Sequence, residues 1–222
     1  MSTPGPLAER VPTPPDRFTQ VVNGLVAWVA RHWLLLFSVF LILYLAIPIS
    51  APILMHSGHE RLGRLIYGLY RLLCHELPER SYFLFGPQHL YSLSEMTAAG
   101  VLPGPGIFER PLYLGDLQHG YKIALCQRDL AIYGSLLLGG WLFGLLRSRR
   151  VTLPRLTIKT YLIFLAPIAV DGFTQLFGWR ESNYLLRTAT GAIFGLASAG
   201  LAYPNIEDAM RDALRGLAVQ AP

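Results

Sequence analysis

Three short polar motifs interrupt an otherwise apolar chain and carry most of the residue types that can do chemistry. They are Cys74-His75-Glu76-Leu77-Pro78-Glu79-Arg80-Ser81, Cys126-Gln127-Arg128-Asp129 and Asp171-Gly172-Phe173-Thr174-Gln175. Thiols and imidazoles are nucleophiles and soft metal ligands, a carboxylate can take a proton or hold a cation, and a guanidinium clamps anions. Charged groups in or beside membrane-spanning segments cost several kcal/mol unless partnered, so by default they mark a site. The candidate catalytic residues are therefore Cys74, His75, Cys126, Asp129, Asp171 and Arg187, with Arg80, Arg128, Tyr133 and Gln175 completing a polar pocket. The plainer reading stands beside this one: Arg128, Arg187, Asp129 and Asp171 sum to zero charge and can simply neutralise one another.

The chain has only two cysteines, and they admit three readings. One is a structural disulfide, Cys74–Cys126, on an oxidising face. Another is a metal site of Cys74, His75 and Cys126 with a carboxylate, a donor set suited to zinc or copper. The third is a pair of free thiols, reactive or inert, with no cofactor at all. Five of the six histidines (His56, His59, His75, His89 and His119) share one segment, most simply as solvated loop residues. A Cys-x-x-Cys-His haem motif, a Gly-rich phosphate loop and a G-x-S-x-G elbow are all missing, which removes the commonest enzyme classes.

The elements that must position these residues are helices. Of 222 residues 52% are hydrophobic and only 15% charged, too apolar for an ordinary soluble domain. The apolar residues fall in blocks at 33–54, 123–146, 157–177 and 185–203, each close to the roughly 20 residues that cross a bilayer. The spacing predicts an all-α protein of four transmembrane helices. The first block begins too late for a cleavable signal peptide and is expected to remain as an anchor. The net charge of +5 is concentrated in Arg147, Arg149, Arg150, Arg155 and Lys159, with no acid nearby, which reads as a cytoplasmic retention signal and not as a nucleic-acid surface. Both termini are then cytoplasmic, and all three polar motifs meet at the outer face of the cell membrane.

Residues 1–17 read as a disordered cytoplasmic leader and 18–203 as the membrane domain, with a cap at 55–122. Within the cap, residues 60–77 place Leu62, Leu65, Ile66, Leu69 and Leu73 on one side, as expected of an amphipathic helix lying in the headgroup plane. Residues 86–120 are rich in Pro and Gly and read as irregular, with one short helix near 94–99. Pro204-Asn205 reads as the start of a separate amphipathic tail helix over 204–222. Gly140 and Gly144, and Gly191, Gly195 and Ala199, form small-residue stripes for close helix packing.

The ordered set Cys74-His75…Pro78…Arg80-Ser81, Cys126-Gln127-Arg128 with Tyr133-Gly134, Asp171-Gly172…Gln175 and Arg187…Thr190-Gly191 resembles an uncharacterised prokaryotic membrane family, a domain of unknown function. The resemblance spans about residues 60–200 and implies a small polytopic bundle. Many relatives carry a further Cys where this chain has Asp129, which argues against a multi-thiolate centre. The functional expectation is a membrane scaffold or accessory component with a polar pocket at the outer face. A metal- or thiol-dependent membrane enzyme or redox protein is the alternative, and an oligomeric transporter the third. The expected partners are the lipid bilayer, other membrane subunits or further copies of the chain.

Overall fold

A computed structural model describes residues 16–151, 155–180 and 182–220. Its order is α1 (Arg17–His56), α2 (Glu60–Tyr70), β1 (Ser81–Leu84), α3 (Leu93–Ala98), β2 (Gly115–Asp116), β3 (Gly120–Cys126), α4 (Gln127–Ser148), α5 (Ile158–Leu176) and α6 (Tyr184–Gln220). The leader read at 1–17 lies outside the described residues apart from Asp16, whose carboxylate caps α1 by accepting from Thr19 N at 3.0 Å, and Arg17, which opens that helix.

Three helices, α1, α4 and α6, are long and apolar enough to cross a membrane. Their apolar side chains face outward: Leu35, Val39, Phe40, Leu43 and Ile47 on α1, Leu138, Trp141 and Leu142 on α4, and Leu185 and Leu196 on α6 are all exposed. Only 22% of the most apolar window of α1 is buried against protein, so the remaining apolar surface needs a solvent other than water. The helix α5 has 19 residues, and Lys159 and Asp171 lower its hydropathy.

The contacts fix the helix directions. Gly191 packs on Arg128 and Ala131, Gly195 on Ile132 and Ser135, and Gly139 on Ala199, so α4 and α6 run parallel. A Cβ at Gly195 would sit 2.4 Å from the Ile132 carbonyl oxygen; only glycine permits this approach. Trp33 stacks near Phe143 and Tyr203 while Tyr44 meets Tyr133, so α1 runs antiparallel to both. Leu156 lies against Gly200, Tyr161 meets Ser198 at 3.2 Å, and Asp171 reaches Arg128, so α5 runs back along α6.

The all-α expectation is corrected by a three-stranded antiparallel sheet in the cap, ordered β1-β3-β2. Its central strand is buried on both faces from Gly120 to Leu125, so Ile123-Ala124-Leu125 shows no alternation and runs straight into the apolar helix that follows. Periodicity cannot separate such a run from the start of a helix. The second helix accordingly begins at Gln127 and not at 123, with Cys126 (φ −75°, ψ 158°) ending the strand and capping α4. The surface helix stops at Tyr70 instead of continuing to 77, because Pro78 holds Leu77 extended and Glu76 takes φ 45°. At the other end α6 continues through Pro204, where a separate tail helix was expected. Tyr203 and Glu207 pin this stretch to the bundle through Tyr203 Oη to Leu136 O (2.7 Å) and Trp33 Nε1 to Glu207 Oε2 (2.9 Å).

A candidate anion cleft and a thiol–carboxylate cluster

The cap sits over the ends of α4, α5 and α6, and a cleft of about 770 Å³ opens between them. Its charged and amide walls include Glu79 and Arg80 from the turn before β1, the exposed Glu95 of α3, Arg110 from the cap, Gln127 from α4, Gln175 from α5, Arg180 from the α5–α6 link and Arg187 from α6, with Ser182 beside them. Asp171 lies behind this wall, 1% exposed, and it accepts from Arg128, from Arg180 Nη2 at 2.7 Å and from Ser182 Oγ at 3.0 Å. Glu79 Oε1 accepts from Arg110 Nη1 at 2.7 Å, while its Oε2 has no hydrogen-bond partner.

Five guanidinium groups thus stand against two buried carboxylates. Arg187 is buried yet holds only long contacts: Nη1 to Glu79 O at 3.2 Å and to Gln127 Oε1 at 3.4 Å. Gln175, its amide oxygen turned toward the cations, accepts from Arg187 Nη2 at 3.2 Å and Arg80 Nη2 at 3.1 Å. The Nε atoms of Arg110, Arg128 and Arg187 are buried without partners. Burial lowers the Arg80 pKa, and the neighbouring guanidiniums of Arg110 and Arg128 reinforce the shift. Such a group gains from a bidentate anion.

A second cluster lies beside the cleft and shares none of its lining. Cys74 Sγ, Cys126 Sγ and a carboxylate oxygen of Asp129 all lie within 4.8 Å of one another. Both thiols are free, so the disulfide reading is not realised in this structure. His75 is exposed and is not part of this cluster.

The sequence-derived candidates therefore separate. Arg80, Arg128, Asp171, Gln175 and Arg187 come together around the cleft, and Cys74, Cys126 and Asp129 around the thiols. Tyr133 joins neither, stacking instead on Tyr44 between α1 and α4 with centroids 4.5 Å apart. Residues missed by the sequence reading are Glu79, Arg110, Gln127, Arg180 and Ser182 in the cleft. Gln127 carried a signal, being flanked by two chosen residues; Arg110, in a loop without periodicity, carried none.

Also missed was a buried pair in the cap. Lys122 and Glu76 are both fully buried. Lys122 Nζ donates to Glu76 O at 2.6 Å and Pro111 O at 2.9 Å, and lies 3.8 Å from Glu76 Oε2. Neither carboxylate oxygen of Glu76 has a hydrogen-bond partner. Burial pushes the Glu76 pKa up to about 7 against the pull of Lys122, and burial depresses the Lys122 pKa.

Apolar helices without protein cover, topped by a polar cap, define an integral membrane protein. The family model described as predicted membrane protein (DUF2085) matches residues 116–201, which hold Cys126, Asp129, Asp171, Gln175 and Arg187. An uncharacterised protein of Methanocaldococcus jannaschii is 30% identical over 171 residues, covering 74% of this chain and 86% of that relative. An uncharacterised protein of Methanothermobacter thermautotrophicus is 36% identical over 85 residues, 37% of this chain and 71% of that relative. The chain belongs to this family of membrane proteins, whose members compared here are themselves uncharacterised. No solved structure matches the chain.

Proposed function

We propose that the chain is a four-span cell-membrane protein, with both termini in the cytoplasm, that receives an anionic group in the arginine-lined cleft at its outer face. Its role is that of an accessory or scaffold component. Four spans are supported by direction: α4 and α6 run parallel, so α5 must carry the chain back across the same thickness, as its contacts with α6 indicate. Orientation rests on Arg147, Arg149, Arg150, Arg155 and Lys159 at the end opposite the cleft. The exposed leucines of α2, Leu62, Leu65 and Leu69, suit the acyl boundary beside the cap.

One observation carries the ligand reading: Arg110, Arg128 and buried Arg187 hold unpartnered Nε–H groups around a cleft where five guanidiniums face three carboxylates, Glu79, Asp171 and the exposed Glu95. A phosphate or carboxylate group would supply the missing acceptors.

The test is thermal unfolding of the detergent-purified full chain against inorganic phosphate, and in nanodiscs with and without phosphatidylglycerol. At a phosphate concentration 100 times Kd the wild type should gain about 2.7 kcal/mol, and Arg187→Met should lose the phosphate response while remaining folded. A response to phosphatidylglycerol alone would make the ligand a lipid headgroup. Equal insensitivity of wild type and Arg187→Met to both would remove the anion reading.

A further inference from the structure

The thiol–carboxylate cluster is independent of the cleft, and its chemistry points elsewhere. Cys126 ends β3 and caps α4, its sulfur accepting from Asp129 N at 3.5 Å. Cys74 arrives from the turn after α2, held by its own N–H to Tyr70 O at 2.8 Å. Asp129, one turn into α4, aims its carboxylate at both sulfurs, while its neighbour Arg128 turns the other way to Asp171. Among the described residues Asp129 makes no ion pair. A half-buried carboxylate facing two thiols, with the adjacent arginine committed elsewhere, is a compact set of one oxygen and two sulfur donors.

We propose that Cys74, Cys126 and Asp129 bind a zinc-class divalent cation, with Asp129 and not His75 as the third ligand. Two thiolates discriminate against magnesium and calcium, and the carboxylate oxygen moves the set away from the all-sulfur preference of monovalent copper. In a tetrahedral zinc shell, bonds of about 2.3 Å to sulfur and 2.0 Å to oxygen place the donors about 3.5–3.8 Å apart. The three donors already lie within 4.8 Å, so binding requires side-chain contraction only. Two thiolates and a carboxylate carry three negative charges, and a dication leaves one, which Arg80 is near enough to Cys126 to offset. Three protein ligands leave one coordination position for water or another ligand, the arrangement of reactive zinc sites and not of closed structural ones.

The experiment uses the full chain, purified without oxygen, stripped with chelator and titrated with Co²⁺. Thiolate-to-cobalt charge-transfer absorption should grow to one equivalent and vanish on adding Zn²⁺. Cys74→Ser and Cys126→Ser should each weaken Zn²⁺ binding by about 100-fold or more, and Asp129→Asn by about 10- to 100-fold. His75→Ala should stay within about twofold. Circular dichroism and size-exclusion profiles identify any variant that fails to fold. For such a variant the wild type answers instead, since Zn²⁺ should protect both thiols from iodoacetamide. Three results would overturn the site: no charge-transfer band with two alkylatable thiols; a Cys74–Cys126 disulfide that forms equally fast with Zn²⁺ present; or a His75→Ala loss as large as that of the cysteine variants.

Discussion

The two ends of the helix bundle both gather arginines around acids, but they use them differently. At the end holding the basic loop, Glu207 accepts from Trp33 Nε1, Arg147 Nη1 (2.7 Å) and Arg211 Nε (2.8 Å), and Arg155 pairs with Asp208 at 2.5 Å. Glu207 is buried and its arginines, Arg147 and Arg211, remain in contact with solvent, with side chains 40% and 56% exposed. At the capped end the arginines themselves are sunk: Arg110 is 8% and Arg187 7% exposed, and both carry orphaned Nε groups. A buried acid ringed by wet cations is a finished structural joint. Buried cations with too few acids are an open one, and the asymmetry separates pairing that holds helices together from pairing that awaits a ligand.

Substitutions can break this contrast. The largest effect is expected for Asp171→Ala, which leaves Arg128, 22% exposed, and buried Ser182 without their carboxylate partner, whereas Arg180 can turn to water. Unfolding assays should show a loss of about 3–5 kcal/mol, and added phosphate should restore part of it. Glu207→Ala at the opposite end should cost less, about 1–3 kcal/mol, because its arginines can turn to water; phosphate should restore none of it. Equal rescue of both variants would erase the distinction between the two ends.

A pH series sharpens it further. Glu76 has a folded-state pKa raised to about 7 from 4.5, so the folded chain binds the extra proton between those values. Stability should therefore be fully present below about pH 4.5 and decline as pH rises toward about 7, and Glu76→Gln should flatten that slope. The smallest effect belongs to Arg155→Ala, an exposed pair whose loss should change stability by under about 1 kcal/mol in the same assay.

The long apolar helices were legible because lipid demands uninterrupted runs, and no other environment produces the uncharged stretch at 33–54. The sheet was not legible. Residues 120–125 are buried on both faces, so the alternation that betrays a strand is missing, and Lys122, read only as the last residue of the cap, is wholly enclosed. Asp171, Gln175 and Arg187 could be placed at one depth by counting along helices. That Arg110 and Glu79 complete the same cleft depends on how an irregular Pro/Gly-rich segment folds back, which no local pattern encodes. His75 was drawn in by adjacency to Cys74, yet Cys74 is half-buried in the cluster while His75 is exposed and outside it.

Cys126 is at once the last residue of β3 and the cap of α4, so no slack separates the extramembrane sheet from the buried helix. A rigid splice of this kind makes the cap a handle on the span. A displacement of the sheet therefore acts directly on the first turn of α4, the helix whose other end holds the Arg147–Glu207 pair.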